Sequence, residues 1–169
     1  MTRVFVCPLS KVDATVAASG AGALVSLLSP GLVTPRPESI APEWRLSLGL
    51  HDIVEAREGH VLARPEQIET LLAFFRAWER QAPLVIHCYA GVSRSTAAAY
   101  IALCALTQRP EAEIAQDLRR LSPTATPNRH MVAMADEALS REGRMTAAIA
   151  AIGRGRDCFE GDVFCMETA

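Results

Sequence analysis

The sequence carries no surplus of charge: 17 basic and 19 acidic side chains leave a formal net charge of −2. The broad positive field that draws proteins onto nucleic acid or anionic membranes is therefore missing, and any anion must be held by a local site. There is no C-x-x-C pair. The five cysteines, Cys7, Cys88, Cys104, Cys158 and Cys165, are odd in number, so neither a disulfide framework nor a zinc site is indicated and at least one thiol is free. The opening MTRVFVCPLSKVD has only a four-residue apolar run, too short for a secretion-signal core or a membrane span. The expectation is a cytoplasmic protein that binds neither membrane nor nucleic acid. Lysine is nearly absent, Lys11 standing against sixteen arginines, which together with abundant alanine reads as coding bias. No internal repeat is visible.

What is present suffices for one folded domain. The 169 residues are 50% hydrophobic and 21% charged, enough to bury a core. Short strand-like runs occur at Arg3 to Cys7, Ala23 to Leu28, Trp44 to Leu50 and Leu84 to His87. In Glu66 to Arg80, the residues Ile68, Leu71, Leu72 and Phe75 recur at helical spacing, and Pro65 suits a first helical position. Ser95 to Leu106 is apolar nearly all round, as a central buried helix is. Further helices are expected after Pro110, with Ile114, Leu118 and Leu121, and after Pro127, with Met131, Met134 and Leu139. Early strands and late helices predict a three-layer α/β domain over residues 1–152. Residues 153–169 form a tail that either docks on the body, the favoured reading, or hangs free. Ser29 to Pro42 and Glu55 to Pro65 read as loops able to line a site.

The chemistry concentrates in His87-Cys88-Tyr89-Ala90-Gly91-Val92-Ser93-Arg94-Ser95-Thr96, a strand end, a loop and a helix start. A loop entering a helix N-terminus can turn its amides inward into an anion-binding nest, reinforced by the helix dipole. Cys88 beneath such a cup, with Arg94 nearby, is placed to be a thiolate, since comparable sites lower a cysteine pKa to roughly 3.5–7.5. The planar Arg94 fork can hold two phosphoryl oxygens at once, and Gly91 suits a tight loop that approaches a ligand. Cysteine followed six residues later by arginine is cheap in an arginine-rich chain. The coincidence with His87, Gly91, Ser95, an upstream strand and a downstream helix is not.

HCYAGVSRST resembles the signature of the cysteine-dependent protein tyrosine phosphatases, His-Cys, five residues, Arg, then Ser or Thr. Within them it is most similar to the compact, bacterial-type dual-specificity-like branch. The similarity extends loosely over Ala23 to Leu139, through ALVSLL, LGLHD and Pro127-Asn128. The resemblance implies a four-stranded mixed central sheet of order 1-4-2-3 between helices. It also implies hydrolysis of phosphate monoesters through a phosphocysteine intermediate, without metal or other cofactor. The phosphate would be bound by Tyr89, Ala90, Gly91, Val92, Ser93 and Arg94.

That chemistry needs a proton for the leaving group and a base for the incoming water. The family resemblance implies an Asp some thirty-odd residues before the cysteine, and Asp52, 36 residues upstream of Cys88, follows a predicted strand. Glu55 and Glu58 on the same loop are the fallbacks, and a plain strand-end turn residue is the structural alternative for Asp52. Asp13, Asp117 and Asp136 fall on elements with no reason to face the cup. His87 either bonds the loop backbone and shapes the surroundings of the thiolate, as the resemblance implies, or is a satisfied buried histidine; in neither case is it a general base. Ser95 either donates to the cysteine sulfur or caps a helix. Asn128 reads as structural, His51 and His60 as surface residues without a ligand, and Tyr89 as either an entrance residue or a packing residue. Cys104 lies about 15 Å along a continuous helix from Arg94 and reads as core, whereas the resemblance implies that the first strand, ending in Cys7, lies beside the strand leading to Cys88, which leaves Cys7 open as a redox partner. Cys158 and Cys165 have no assigned place.

The five residues between Cys88 and Arg94 carry no charge. The resemblance implies that relatives acting on inositol phosphates place Lys there, so a singly phosphorylated group such as phosphotyrosine is expected. A phosphorylated protein and a small phosphomonoester both remain open as substrates. Two other readings stand beside this one: a phosphate-binding module without turnover, and a rhodanese-like sulfurtransferase, whose loop lacks this combination of residues.

Overall fold

Alternation and near-continuous apolar runs in the N-terminal half form a sheet, and the helical periodicities of the second half cover it. The structure is a computed structural model that describes residues 2–168. The elements run β1 (Arg3–Pro8), α1 (Val12–Ser19), β2 (Ala23–Leu28), β3 (Arg45–Gly49), α2 (Pro65–Ala77), β4 (Leu84–Cys88), α3 (Arg94–Leu106), α4 (Glu111–Leu121), α5 (Arg129–Ala138), α6 (Arg144–Ile152) and β5 (Phe164–Glu167).

The strands lie in the order β3-β2-β4-β1-β5. Four of them keep the expected 1-4-2-3 arrangement, but the sheet has five strands and not four. The four are mutually parallel, and the strand that makes the sheet mixed is β5, antiparallel to the β1 edge. β5 is a four-residue segment of the tail, too short to announce itself by pattern. It forms because β1 otherwise exposes a row of unpaired backbone groups, and because its alternation sends Phe164 and Met166 into the core.

Register sets which residue faces which layer. On one face Val4 and Val6 of β1, Leu84, Ile86 and Cys88 of β4, and Ala23, Val25 and Leu27 of β2 pack under the later helices. On the other, Cys7, Val85 and Leu24 pack with Val12 and Val16 of α1 and with Ile40. Cys7 is aligned with His87 and Pro8 with Cys88. Because successive side chains point to opposite faces, Cys7 and Cys88 lie on opposite sides of the sheet, which removes Cys7 as a direct disulfide partner. Burial pushes the Cys7 thiol up to about 11, against a lowering hydrogen bond with Thr15.

α2 buries the predicted Ile68, Leu71, Leu72 and Phe75, each side chain contributing about 2 kcal/mol of transfer free energy. It ends at Ala77, three residues before the expected Arg80. Trp78 has left helical geometry, and its indole N–H donates to the Ala82 carbonyl at 3.1 Å. α3 is buried over eleven of its thirteen residues, as a central helix must be, and Cys104 is a core residue whose thiol burial pushes up to about 12. Asp136, on α5, accepts from the amides of Gly143, Met145 and Thr146 and so anchors the start of α6. Asp117 pairs with Arg109 and Arg120.

Beyond α6 the tail follows the loop before α5. Arg119 donates to the Gly153 carbonyl, the Arg156 amide to the Pro123 carbonyl, and the Gly155 amide to Thr126 Oγ1, before β5 joins the sheet. Phe164→Ala is expected to lower unfolding free energy by about 3 kcal/mol in urea titrations. A change within about 0.5 kcal/mol would show that the segment carries no core packing.

Candidate active site

β4 delivers Cys88 to the C-terminal edge of the sheet, and Tyr89 to Ser93 turn the chain back into α3. Four of the five loop carbonyls are held by groups outside the loop. Tyr89 O accepts from the Leu9 amide at 3.0 Å, Ala90 O from Gly161 at 2.9 Å, Val92 O from Thr126 at 2.9 Å, and Ser93 O from Asn128 at 3.2 Å. Thr96 Oγ1 adds bonds to the Val92 and Ser93 carbonyls. None of the amides of Tyr89 to Arg94 donates to a protein acceptor among the described residues. A run of free amides around a helix start, beside carbonyls mostly held elsewhere, can act as an anion nest.

Gly91 makes this turn possible. Its φ is +70°, and a Cβ there would stand 2.7 Å from the Pro8 nitrogen and 2.8 Å from the Cys7 carbonyl carbon. Any side chain would push the loop off the end of β1.

Cys88 is buried beneath the loop, with Ser95 Oγ 3.1 Å from its Sγ. Of the two readings of Ser95, the structure shows contact with sulfur and no side-chain helix cap. His87 is completely buried. A carbonyl can only accept, so Nδ1–H donates to Cys88 O at 3.3 Å, and Nε2 accepts from Ser26 Oγ at 2.6 Å. Burial drives its pKa from 6.5 down to about 4, opposed by the bond to Cys88 O and assisted by Arg94. The ring is therefore neutral at physiological pH and ties the Cys88 peptide to β2.

Arg94 is buried. Its Nη1 donates to the Leu50 carbonyl at 2.8 Å and to Ser29 Oγ at 3.4 Å, which joins the guanidinium to the ends of β3 and β2. Its Nε is the one buried side-chain polar atom without a partner among the described residues. An unsatisfied buried donor costs about 1–3 kcal/mol, more when charged, so it is poised for an acceptor.

Asp52 lies at the rim of the cup. Its Oδ1 accepts from Ser93 Oγ at 2.7 Å and from Asn128 Nδ2 at 2.9 Å, which leaves Oδ2 free among the described residues. Glu55 and Glu58 are exposed on the same loop, and neither side chain makes a hydrogen bond among the described residues. The loop is closed on itself: the His51 amide donates to Val61 O, and the Val61 amide donates to His51 Nδ1. The His51 and His60 rings lie 4.7 Å apart. Tyr89 is half exposed and makes no aromatic stack among the described residues.

Two residues had more to do than the sequence reading assigned them. Asn128 caps α5, its Oδ1 accepting from His130 and Met131, while its amide group also donates to Asp52 and to Ile53 O. Ser93, expected only as a phosphate-binding residue of the loop, also donates its hydroxyl to the same carboxylate. The Pro-Asn pair was the only signal for the first, and nothing local marks the second.

Among the described residues no cluster of three His, Cys, Asp or Glu side chains is placed to hold a metal ion, and no helix is long and apolar enough to cross a membrane.

Residues 58–138 match the protein-tyrosine phosphatase family model, a span that contains Cys88, Arg94 and Asn128 but begins after Asp52. The fold is similar to that of human DUSP28, with 19% identity, a TM-score of 0.64, and 82% of this chain and 94% of that one covered. It is also similar to the PTP-2 phosphatase of Cydia pomonella, with 20% identity, a TM-score of 0.62, and coverage of 79% and 84%. DUSP15 aligns at 14% identity with a TM-score of 0.63, over 88% and 90% of the two chains. No curated protein matches by sequence. The fold is thus that of the dual-specificity phosphatases. The family-model match and this fold agree with the sequence resemblance to the cysteine-dependent protein tyrosine phosphatases.

Because the unfolded chain takes up the His87 proton near pH 6.5 and the folded one only near 4, the buried ring favours folding fully above pH 6.5. That contribution, on the order of 3 kcal/mol, is lost as pH falls from 6.5 to 4. Denaturant titrations across this window should give a shallower pH slope for His87→Gln than for the natural protein. An unchanged slope would contradict the neutral, buried assignment.

Proposed function

We propose that this phosphatase hydrolyses singly phosphorylated substrates, with Cys88 as nucleophile, Arg94 and the loop amides as the phosphate site, and Asp52 as the general acid. The observation that carries the reading is the conjunction of amides without acceptors, a buried sulfur and an unpartnered Arg94 Nε around one loop among the described residues. A phosphoryl dianion satisfies all of these donors together. It brings the negative charge for which the Arg94 fork and the helix start are arranged, and this charge is held equally well as it redistributes in the transition state.

Attack by the Cys88 thiolate forms the S–P bond as the ester P–O bond breaks. Asp52, protonated on Oδ2, gives its proton to the leaving oxygen, then takes a proton from the water that attacks phosphorus and releases the sulfur. Ser95 Oγ–H, 3.1 Å from Sγ, stabilises the thiolate that departs in this second step. His87 positions the Cys88 peptide and takes no proton. Every side chain of the loop between Cys88 and Arg94 is uncharged, which fits one phosphate and offers nothing to neutralise a second one beside it. The reading needs no metal, and a cytoplasmic setting would keep the thiol reduced.

Hydrolysis of p-nitrophenyl phosphate in the presence of EDTA is expected, with at least a ~10³-fold loss in Cys88→Ser. Normal turnover in that variant would refute the chemistry. Asp52→Asn should lose ~10²–10⁴-fold on a phosphotyrosine peptide and much less on an aryl phosphate whose leaving group is a weak base. Full activity on both would move the acid to Glu55 or Glu58.

A further inference from the structure

The proposed acid fixes where the rest of a substrate must lie. The oxygen that Asp52 protonates is the one joining phosphorus to the leaving group, so the substrate's body leaves the cup on the Asp52 side. There the structure has a cavity of about 370 Å³, bounded by Asp52, Arg57, Ser93, Pro127 and Arg129 among others. A second cavity of about 380 Å³ shares Thr126, Pro127 and Arg129 with it and continues between α5 and α6, over Val132, Ile149 and Ala150. The two cavities adjoin at these three residues, and together, as one trough, they reach from the acid to the end of α6.

Its chemistry changes along its length. Arg57 and Arg129 are exposed at the near end, and neither forms an ion pair among the described residues. The far end is floored by Val132, Ile149 and Ala150, with Arg154 at its margin, paired to Asp157. A small phosphomonoester would fill the cup and leave this trough in water. A polypeptide would reach along it.

We propose that the trough is the docking site of a phosphorylated polypeptide, taking an acidic side chain of the substrate against Arg57 and Arg129 and an apolar one over Val132, Ile149 and Ala150. Charge complementarity selects the first contact: two free guanidinium groups beside a dianion site favour carboxylates and disfavour basic residues. Continuity with the acid cavity selects the second, because a chain leaving the cup past Asp52 enters the apolar stretch next. The assignment rests on the phosphatase reading above and on Asp52 facing the leaving group.

The test uses the full chain and phosphotyrosine peptides with acidic and apolar residues on one or the other side of the phosphorylated position, with p-nitrophenyl phosphate as reference. Replacing the acidic residue with Gln, or the apolar one with Ser, should each lower kcat/KM by ~10-fold, about 1.4 kcal/mol. The acidic effect should shrink as salt is raised. Arg57→Glu should lower the peptide-to-aryl-phosphate ratio of kcat/KM by ~10-fold and invert the preference for acidic flanks. Ala150→Trp, a change on the exposed face of α6, should abolish only the preference for the apolar residue. Equal kcat/KM for all peptides would overturn the docking site, as would faster turnover of phosphoinositide vesicles than of any peptide. Loss of aryl-phosphate hydrolysis in the unaltered protein would instead sink the phosphatase reading beneath it.

Discussion

The anchoring of four of the five carbonyls between Tyr89 and Ser93 by groups outside the loop is the constraint on which the rest of the site depends. A five-residue turn has as many acceptors as donors, and it attracts an anion only when its acceptors are held elsewhere. Here the holders come from three separate parts of the chain: Leu9 after β1, Gly161 in the tail, and Thr126 with Asn128 before α5. The tail approaches as closely as a backbone can, since a Cβ on Gly161 would stand 2.9 Å from the Gly91 carbonyl oxygen. Glu160 beside it accepts from Ser10 Oγ at 3.0 Å, so the segment is tied to the β1 end on the same side.

The same economy joins the Cys88 to Arg94 loop to the proposed acid. Arg94 bonds Leu50 O, two residues before Asp52, and Ser93 and Asn128 bond the carboxylate itself. The two loops therefore form one hydrogen-bonded body. A proton donor that needs no rearrangement to face the cup costs less entropy at the moment of reaction than one on a free loop. Asn128 works on both sides of this junction, since the side chain that starts α5 also holds the acid loop.

Legibility in the sequence followed the strength of local pattern. α2, α3, α4 and the four parallel strands carry periodic or continuous apolar residues and were readable, as was the Cys88 to Arg94 loop. α1 was not: VDATVAAS has small residues with little contrast between faces, and it is held by Val12 and Val16 against β1 and β4. α6, RMTAAIAAI, is similarly bland, and its start is set by the Asp136 carboxylate from another helix. The Trp78 break in α2 and the pairing of β5 each depend on a partner distant in sequence or on backbone geometry that no periodicity encodes.

What the amino-acid order determined by itself was chemical: which thiol, guanidinium and carboxyl groups exist, the spacing of Cys88 and Arg94 along one strand-loop-helix unit, and the absence of charge in the loop between them. Those properties are covalent and local, so they survive in an unfolded chain. What only tertiary structure decided was the direction of polar groups. Four of the loop carbonyls turn out because amides from outside the loop meet them, Asp52 faces the rim because Ser93 and Asn128 hold it, and Cys7 lies across the sheet from Cys88 because register sends neighbouring residues to opposite faces. Direction requires partners brought together by folding, and those partners lie up to about 80 residues away in the chain.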